Sequence, residues 1–306
     1  MGGKHFGSVD KRDMFPEVFR AMQEIRPKAV IIENVKGLAR PQFSEYVDYL
    51  KLRMSMPELM PDAQETWSEH RGRLVSERAQ AGFALKYKVK FIHLNAANFG
   101  VPQKRERVFF IALREDLGVT WSPPEETNSA DRLLWDKWVT GEYWDRIQVP
   151  KSKRVEPNKT IRPRLRFLLE SEELPAMNAW KTVREAISVL PVLEEGESDP
   201  HDANHQLNPG ARSYPGHTGS ILDEPAKTIK AGDHGVPGGE NTLQRPDGTV
   251  RYFSVRECAC LQTFPVDFFV SGPWSQQMRQ IGNAVPVLLA EAVGRTVASA
   301  LSIQGA

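Results

Sequence analysis

The stretch KAVIIENV, residues 28–35, constrains this chain more than any other. Its apolar residues run from Ala29 to Ile32 without alternation and include β-branched types, the pattern of a strand covered on both faces. Just ahead of it, residues 14–27 repeat apolar side chains at Phe15, Val18, Phe19, Met22 and Ile25, the spacing of a helix with one buried face, and Pro27 ends that helix. A helix feeding directly into a buried strand predicts an α/β layer.

The rest of the first third extends the layer. Residues 41–80 are expected to form helices. ALKYKVKFIHL alternates Leu85, Tyr87, Val89 and Phe91 as a strand does, and RVFFIALRE supplies another, so the two predict a hairpin with NAANFGVPQKRE at its tip. From about residue 116 to 250 the texture turns to Trp, Pro, Gly and mixed charge. WKTVREAISVLP, ended by Pro191, is the one periodic element legible there, PAKTIK reads as strand-like, and KAGDHGVPGGENTL as loop. SVRECACLQTFP and PVLLAEAVGRTVASAL then restore helical periodicity. The expected organisation is a first layer over 1–115, a separate loop-rich domain over 116–250, and a return to the first layer over 251–306.

Composition narrows the class. With 306 residues, 40% of them hydrophobic, the chain can bury a proper core, which excludes global disorder. The net charge of +1 says little about nucleic acid, because a basic face hides easily in a neutral total. KSKRVEPNKTIRPRLRF gathers Lys151, Lys153, Arg154, Lys159, Arg162, Arg164 and Arg166, which suits either a phosphate footprint or a solvated surface run. The cysteines, Cys258 and Cys260, lie too close together for a disulfide framework and fit a reducing compartment. The first residues carry no apolar signal core, and no stretch is expected to approach a membrane span. The chain reads as soluble and intracellular.

Two segments look chemical. Glu33 sits near the carboxyl end of its strand, where open α/β sheets place their ligands, although a glutamate there also suits capping of the next helix. In VPQKRERVFF, strand alternation puts Gln103, Arg105 and Arg107 on one side and Lys104 and Glu106 on the other, which predicts a fork of donors facing one ligand. The bland alternative is a set of surface arginines paired with acids such as Glu106.

Four stretches, in this order, resemble the cytosine-5 DNA methyltransferase family: DKRDMF with IIENVKGL, NAANFGVPQKRERVFFIA, SVRECACLQTFPVDF, and QIGNAVPVLLAEAVG. The resemblance is close over 1–114 and 250–296 and holds only in outline between. It implies an α/β fold in which part of a Rossmann-like, adenosylmethionine-dependent methyltransferase sheet is joined to a loop-rich target-recognition domain. It also implies methyl transfer from S-adenosyl-L-methionine to C5 of a cytosine flipped out of double-stranded DNA. Glu33 would meet the N3 edge of the base, with Asn34 holding the loop. Arg105 and Arg107 would contact the base and the DNA backbone. Met14, Asn283, Ala284 and Val285 would lie against the cofactor, though IGNAVP also suits a helix start with Asn283 as cap and Pro286 in the first turn. Gln103, Arg162, Arg164 and Arg166 would face DNA.

Other parts of the family pattern do not occur in this sequence. No proline precedes either cysteine, so the Pro-Cys nucleophile motif is missing, as are the glycine-rich strand-turn and the acidic residue for the cofactor ribose. Arg256 and Glu257 are expected to organise the recognition domain, and the two cysteines to be buried as small hydrophobes. A half-sheet of this kind is expected to leave a strand edge and an apolar face open, and so to need a companion chain carrying the N-terminal methyltransferase motifs. A DNA-binding remnant without chemistry remains open beside this reading, as does, further off, an RNA cytosine methyltransferase. A cytoplasmic, DNA-associated protein of bacterial or phage type is expected, without membrane attachment.

Overall fold

A computed structural model of the protein describes residues 13–77, 82, 84–171, 174–213, 218–231, 241–245 and 247–302. By its contacts the chain divides into two compact units, the first within 1–94, 106–124 and 293–306 and the second within 95–105 and 125–292. This division differs from the sequence expectation. Residues 251–292 belong with the second unit, and so does the loop 95–105 between two strands of the first.

The first unit is built on a three-stranded sheet of β1 (Ala29–Val35), β2 (Tyr87–Asn95) and β3 (Glu106–Arg114), in the order β1-β3-β2. β3 and β1 are antiparallel, with Ile32 opposite Phe110 and Val35 opposite Arg107. The central position of β3 explains why all of Arg107 to Leu113 is buried. β1 was expected to be covered on both faces, and it is covered on one. Val30 and Ile32 pack into the core with Phe110 and Ala112, whereas Ile31 is 45% and Val35 53% exposed on the opposite face. Among the described residues, β1 has no strand on its outer side.

Helices α1 (Phe15–Ile25), α2 (Ser44–Ser55) and α3 (Trp67–Glu77) accompany this sheet. Phe15, Phe19 and Met22 form the buried face of α1 as its spacing predicts, but Ile25 is exposed, because the chain turns out of the helix through Arg26 in the left-handed region. Leu85, Tyr87, Val89 and Phe91 all reach the same core, as their alternation predicts. Arg53 is an unexpected member of the buried set. It donates to the carbonyls of Met56 and Pro57, the latter at 2.6 Å, and stacks 4.9 Å from the Phe19 ring. Burial pushes its guanidinium down to about 10.

The second unit is more helical than its texture predicts. It contains α4 (Ala130–Trp138), α5 (Glu142–Arg146), α6 (Arg162–Ser171), α7 (Val183–Ile187), α8 (Val255–Leu261) and α9 (Trp274–Asn283). Only α7 falls in the helix expected between 116 and 250, and α4 and α6 are longer than it. Lys137 is buried in this unit, donates to the Asp223 carbonyl at 2.9 Å, and lies over the rings of Trp138, Tyr143 and Trp144. PAKTIK is not a strand. Ala226 makes a single bridge to Gln103, and the chain is otherwise irregular there. Of the glycine-rich loop, residues 232–240 lie outside those described.

Trp274–Ser302 is long and apolar enough, by length and composition, to cross a membrane, which the sequence reading did not anticipate. In the structure the stretch is broken at Ala284–Pro286 into α9 and α10 (Val287–Ser302). α10 buries Leu289, Val293, Val297 and Ala300 along one stripe and exposes Glu291 and Arg295, the pattern of a helix with one buried face.

Candidate active site

Glu33 and Arg107 are brought together by the register of β1 against β3. Because Arg107 lies opposite Val35, Glu33 is its diagonal neighbour on the same sheet face, within reach of a long side chain. The Arg107 Nε lies 2.6 Å from the Glu33 carboxylate. A further donor, Nη1, is held by the Glu106 carbonyl at 2.9 Å, which fixes the plane of the guanidinium. Burial pushes Arg107 below its ordinary value, and the Glu33 charge opposes that shift. The Glu33 side chain keeps 25% of its surface open against 10% for Arg107, so the acid is the accessible member of a half-desolvated pair. Such a pair presents a carboxylate of fixed orientation, able to accept from the N–H edge of a planar base.

Asn34 turns the other way from Glu33. Its Oδ1 accepts from the Val35 N–H at 2.8 Å, holding the backbone where β1 ends. Beyond it, Lys36 pairs with Glu106, whose carboxyl is held below its ordinary range chiefly by that contact, and His93 lies 3.5 Å from the same acid.

The expected fork of Gln103, Arg105 and Arg107 toward one ligand does not form. Regular β3 begins at Glu106, so strand alternation does not extend back to Gln103 and Arg105. Gln103 is wholly buried, donating to the Leu261 carbonyl at 3.2 Å and accepting from the Ile229 N–H at 3.0 Å. Arg105 is equally buried and donates to the carbonyls of Ile229 (2.8 Å), Gly282 (2.7 Å) and Ala284 (2.9 Å). Both side chains are backbone clamps of the second unit. The placement of Gln103 against DNA and of Arg105 against base or phosphate is therefore corrected: amide and guanidinium groups bonded to buried backbone do not face a solvent-borne ligand.

That clamp fixes the segment carrying IGNAVP. Asn283 is the last residue of α9 and Ala284 its C-cap, donating to the Gln280 and Ile281 carbonyls at 3.2 Å, so the alternative of Asn283 as a helix N-cap is also corrected. Asn283 is exposed, and Ala284 and Val285 are half-buried. Gly282 passes close against another backbone segment. A Cβ there would stand 2.5 Å from the Lys230 carbonyl carbon and 2.7 Å from the Ala231 Cα. Asn241 braces that segment, accepting from the Lys230 N–H and donating to its carbonyl, both at 2.9 Å. Neither Gly282 nor Asn241 was singled out from sequence, and the one available signal was a glycine inside an otherwise helical run.

The remaining expected residues divide. Met14 is 65% exposed at the start of α1. Arg162, Arg164 and Arg166 are exposed on α6, whose Leu165 and Leu168 are buried. Arg162 donates to the Pro157 carbonyl at 3.0 Å, and Arg164 pairs with Asp131 at 2.9 Å. Arg256 and Glu257 are structural as expected, bonded to Asp202 and Arg251 respectively, with Glu257 closing a capping box on Ser254. Cys258 is fully buried and burial raises its thiol well above the ordinary value. Cys260 is raised for the same reason. Neither is available as a thiolate.

Comparison with known proteins agrees with these motifs. The pattern of the C-5 cytosine-specific DNA methylase family matches residues 1–55 and 68–299. The chain is 30% identical over 305 residues to the type II methyltransferase M.Eco47II of Escherichia coli, an alignment covering 96% of this chain and 60% of that protein. It is 28% identical over 308 residues to the type II methyltransferase M.NgoMIV of Neisseria gonorrhoeae, covering 98% and 73%. The chain thus spans about 60% of the length of the first of these relatives. The S. pombe Dnmt2 methyltransferase structure is a looser likeness, with a TM-score of 0.46, 15% identity, and coverage of 99% of this chain and 74% of that one. With the family pattern matched along nearly its whole length, the chain belongs to the C-5 cytosine-specific DNA methylases.

Proposed function

We propose that this chain is the base- and DNA-recognising portion of a DNA cytosine-5 methyltransferase, acting on a cytosine flipped out of duplex DNA. The nucleophilic thiolate and the rest of the cofactor site come from a companion half carrying the N-terminal methyltransferase motifs. The observation that carries the reading is the Glu33–Arg107 pair, an oriented and partly open carboxylate near the end of an edge strand.

Cytosine C5 is a weak nucleophile. It becomes reactive when a thiolate adds at C6 and N3 gains a proton, which makes C5 enamine-like. A carboxylate beside N3 favours that protonated form and accepts from the exocyclic amino group as well. Glu33 takes this role, and Arg107 holds its carboxylate in place while offering positive charge toward the carbonyl side of the ring. The target must leave the duplex to reach such a pocket. The second unit reads the flanking bases, with Arg162, Arg164 and Arg166 on α6 holding phosphates. Arg164 has to exchange Asp131 for a phosphate to do so.

The cofactor of this family, S-adenosyl-L-methionine, supplies the methyl group when bound. The residues here suit part of its surroundings: Asn283 exposes its amide, Val285 is half-buried, and Met14 offers an open thioether side chain. Asn283 and Val285 would contact the cofactor, with Arg105 acting as a positioning residue that fixes the carbonyls on either side of Asn283. The relatives named above are type II methyltransferases of bacteria, which supports a cytoplasmic, DNA-acting protein.

The test is reconstitution. The purified chain is mixed with a candidate half that carries a Pro-Cys motif and a glycine-rich strand-turn, and methyl transfer to duplex DNA is measured. Activity is expected in the mixture and not from the chain alone. Glu33→Gln is expected to lower kcat by roughly 10²–10⁴-fold, the range for a lost proton-handling group. Arg107→Gln is expected to lower it by roughly 10²–10³-fold. Full activity of the unmixed chain, or of the Glu33→Gln mixture, contradicts the proposal.

A further inference from the structure

α6 is held to the second unit along a narrow strip. It buries Leu165 and Leu168, about one turn apart, and exposes every other residue of its length. At about 3.6 residues per turn, Pro163, Phe167 and Glu170 form the ridge farthest from that strip. Arg164 then lies on one side of the ridge, and Arg162 and Arg166 lie on the other.

Phe167, at the centre of the ridge, is 55% exposed. A lone exposed apolar side chain is ordinary on a protein surface. This ring is propped and flanked by charge, which is not. The Arg164 guanidinium lies 4.7 Å from the Phe167 ring centroid, and its Nε donates to Asp131 of α4 at 2.9 Å. The stack uses the flat face of the guanidinium and the ion pair uses its N–H edge, so exchange of Asp131 for another anion leaves the ring supported.

Charge identifies what the ridge meets. From Lys151 to Ser171 the chain carries seven cations and two acids, Glu156 and Glu170, a surplus of five in a chain whose net charge is +1. Arg154 and Arg164 have acid partners in Asp145 and Asp131, while Lys159, Arg162 and Arg166 stand exposed on the helix or just ahead of it. Such a field selects a polyanion. An apolar ring between the cations further requires an apolar target between the anionic groups. Duplex DNA supplies both, with phosphates along the walls of the major groove and thymine methyl groups on its floor, and that groove, about 12 Å wide, admits one α-helix.

We propose that α6 enters the major groove of duplex DNA with Phe167 against the C5-methyl group of a thymine, Arg164 on one wall of the groove and Arg162 and Arg166 on the other. The inference rests on the DNA-methylating function proposed above, and adds to it the element that enters the groove and one base that it selects.

The experiment selects duplexes from a random-sequence pool by binding to the intact chain. The tightest is resynthesised with each thymine in turn replaced by deoxyuridine, which removes only the methyl group, and affinities are read by fluorescence anisotropy. At one thymine the replacement is expected to weaken binding by roughly three- to fivefold, the worth of one buried methyl group. Phe167→Ala is expected to bind the thymine and deoxyuridine duplexes alike. Its side chain lies outside the core, so an unchanged melting midpoint is expected with it. Arg166→Gln is expected to keep the thymine preference, to weaken both duplexes equally, and to lower the slope of log affinity against log salt by about one. The inference is overturned if the selected duplex has no thymine that responds, or if Phe167→Ala keeps the response. Duplex binding without a thymine response sinks only the role of Phe167, whereas a chain that binds no duplex takes the proposed function down with it.

Discussion

Arg105 spends its guanidinium on the carbonyls of Ile229, Gly282 and Ala284, three backbone groups with no place in water once the loop has closed. Arg105→Met keeps the volume and orphans all three, at about 1–3 kcal/mol for each acceptor left unsatisfied. Its melting midpoint is expected to drop by several degrees, and methylation in the reconstituted mixture to fall with a rise in KM for the cofactor as the 282–285 segment loosens. A loss of kcat alone, at unchanged stability, argues instead that Arg105 touches substrate. Gly282→Ala tests the same segment by steric means. The added methyl lands on Lys230 and Ala231 backbone, which is not the free end of a flexible side chain, so a cost of about 1–3 kcal/mol is expected in denaturant titration. These residues also mark where sequence reading stopped. Glu33 and Arg107 were legible because a strand's period places them, but the partners of Gln103 and Arg105 lie 124 to 179 positions away along the chain. No local pattern in QKRER distinguishes an arginine reserved for a carbonyl from one reserved for a ligand.

At the scale of elements, α1, β1, β2 and β3 were readable because each carries a periodic apolar face large enough to dominate its surroundings. α4 and α6 were not, since α4 buries the charged Asp136 and Lys137 beside Leu133, and α6 exposes Phe167 and Leu169 while burying only Leu165 and Leu168. The linker between α2 and α3 shows how charge settles a segment lacking such a face. Arg73 donates to both oxygens of Glu65, at 2.9 and 2.6 Å, and to the Met60 carbonyl at 2.6 Å, tying the middle of α3 to the linker before it. This contact holds the Glu65 carboxyl down at about 2, against an ordinary 4.5. A depressed carboxyl contributes stability that is present above its unfolded value and lost as pH falls through the folded one. Amide exchange at residues 61–70 is therefore expected to accelerate as pH falls from about 4.5 toward about 2, once the intrinsic pH dependence of exchange is divided out. In Arg73→Gln that extra acceleration is expected to vanish, with the segment already loose at neutral pH. An unchanged profile in the variant means that Glu65 is not held by Arg73.

For the whole molecule the decisive feature is the outer side of β1. An edge strand is ordinarily protected by charge, by proline or by a covering element. β1 instead presents Ile31 and Val35 on one face and, among the described residues, has no neighbouring strand on its outer side. Glu33, between those two side chains, is held by Arg107, which offsets the charge that would otherwise discourage another strand from pairing there. If a companion half completes the sheet there, this edge is the contact that joins the two. The purified chain alone is then expected to self-associate, with light-scattering mass rising with concentration, and addition of the companion half is expected to suppress that rise. Replacing both apolar residues, Ile31→Lys with Val35→Lys, places cations on the open face without touching the Val30 and Ile32 side that packs the core. The double variant is expected to remain monomeric, to keep the thermal midpoint of the parent to within a few degrees, and to lose assembly with the companion. Should it assemble as tightly as the parent, the companion covers some other surface, and the exposed face of β1 needs a different explanation.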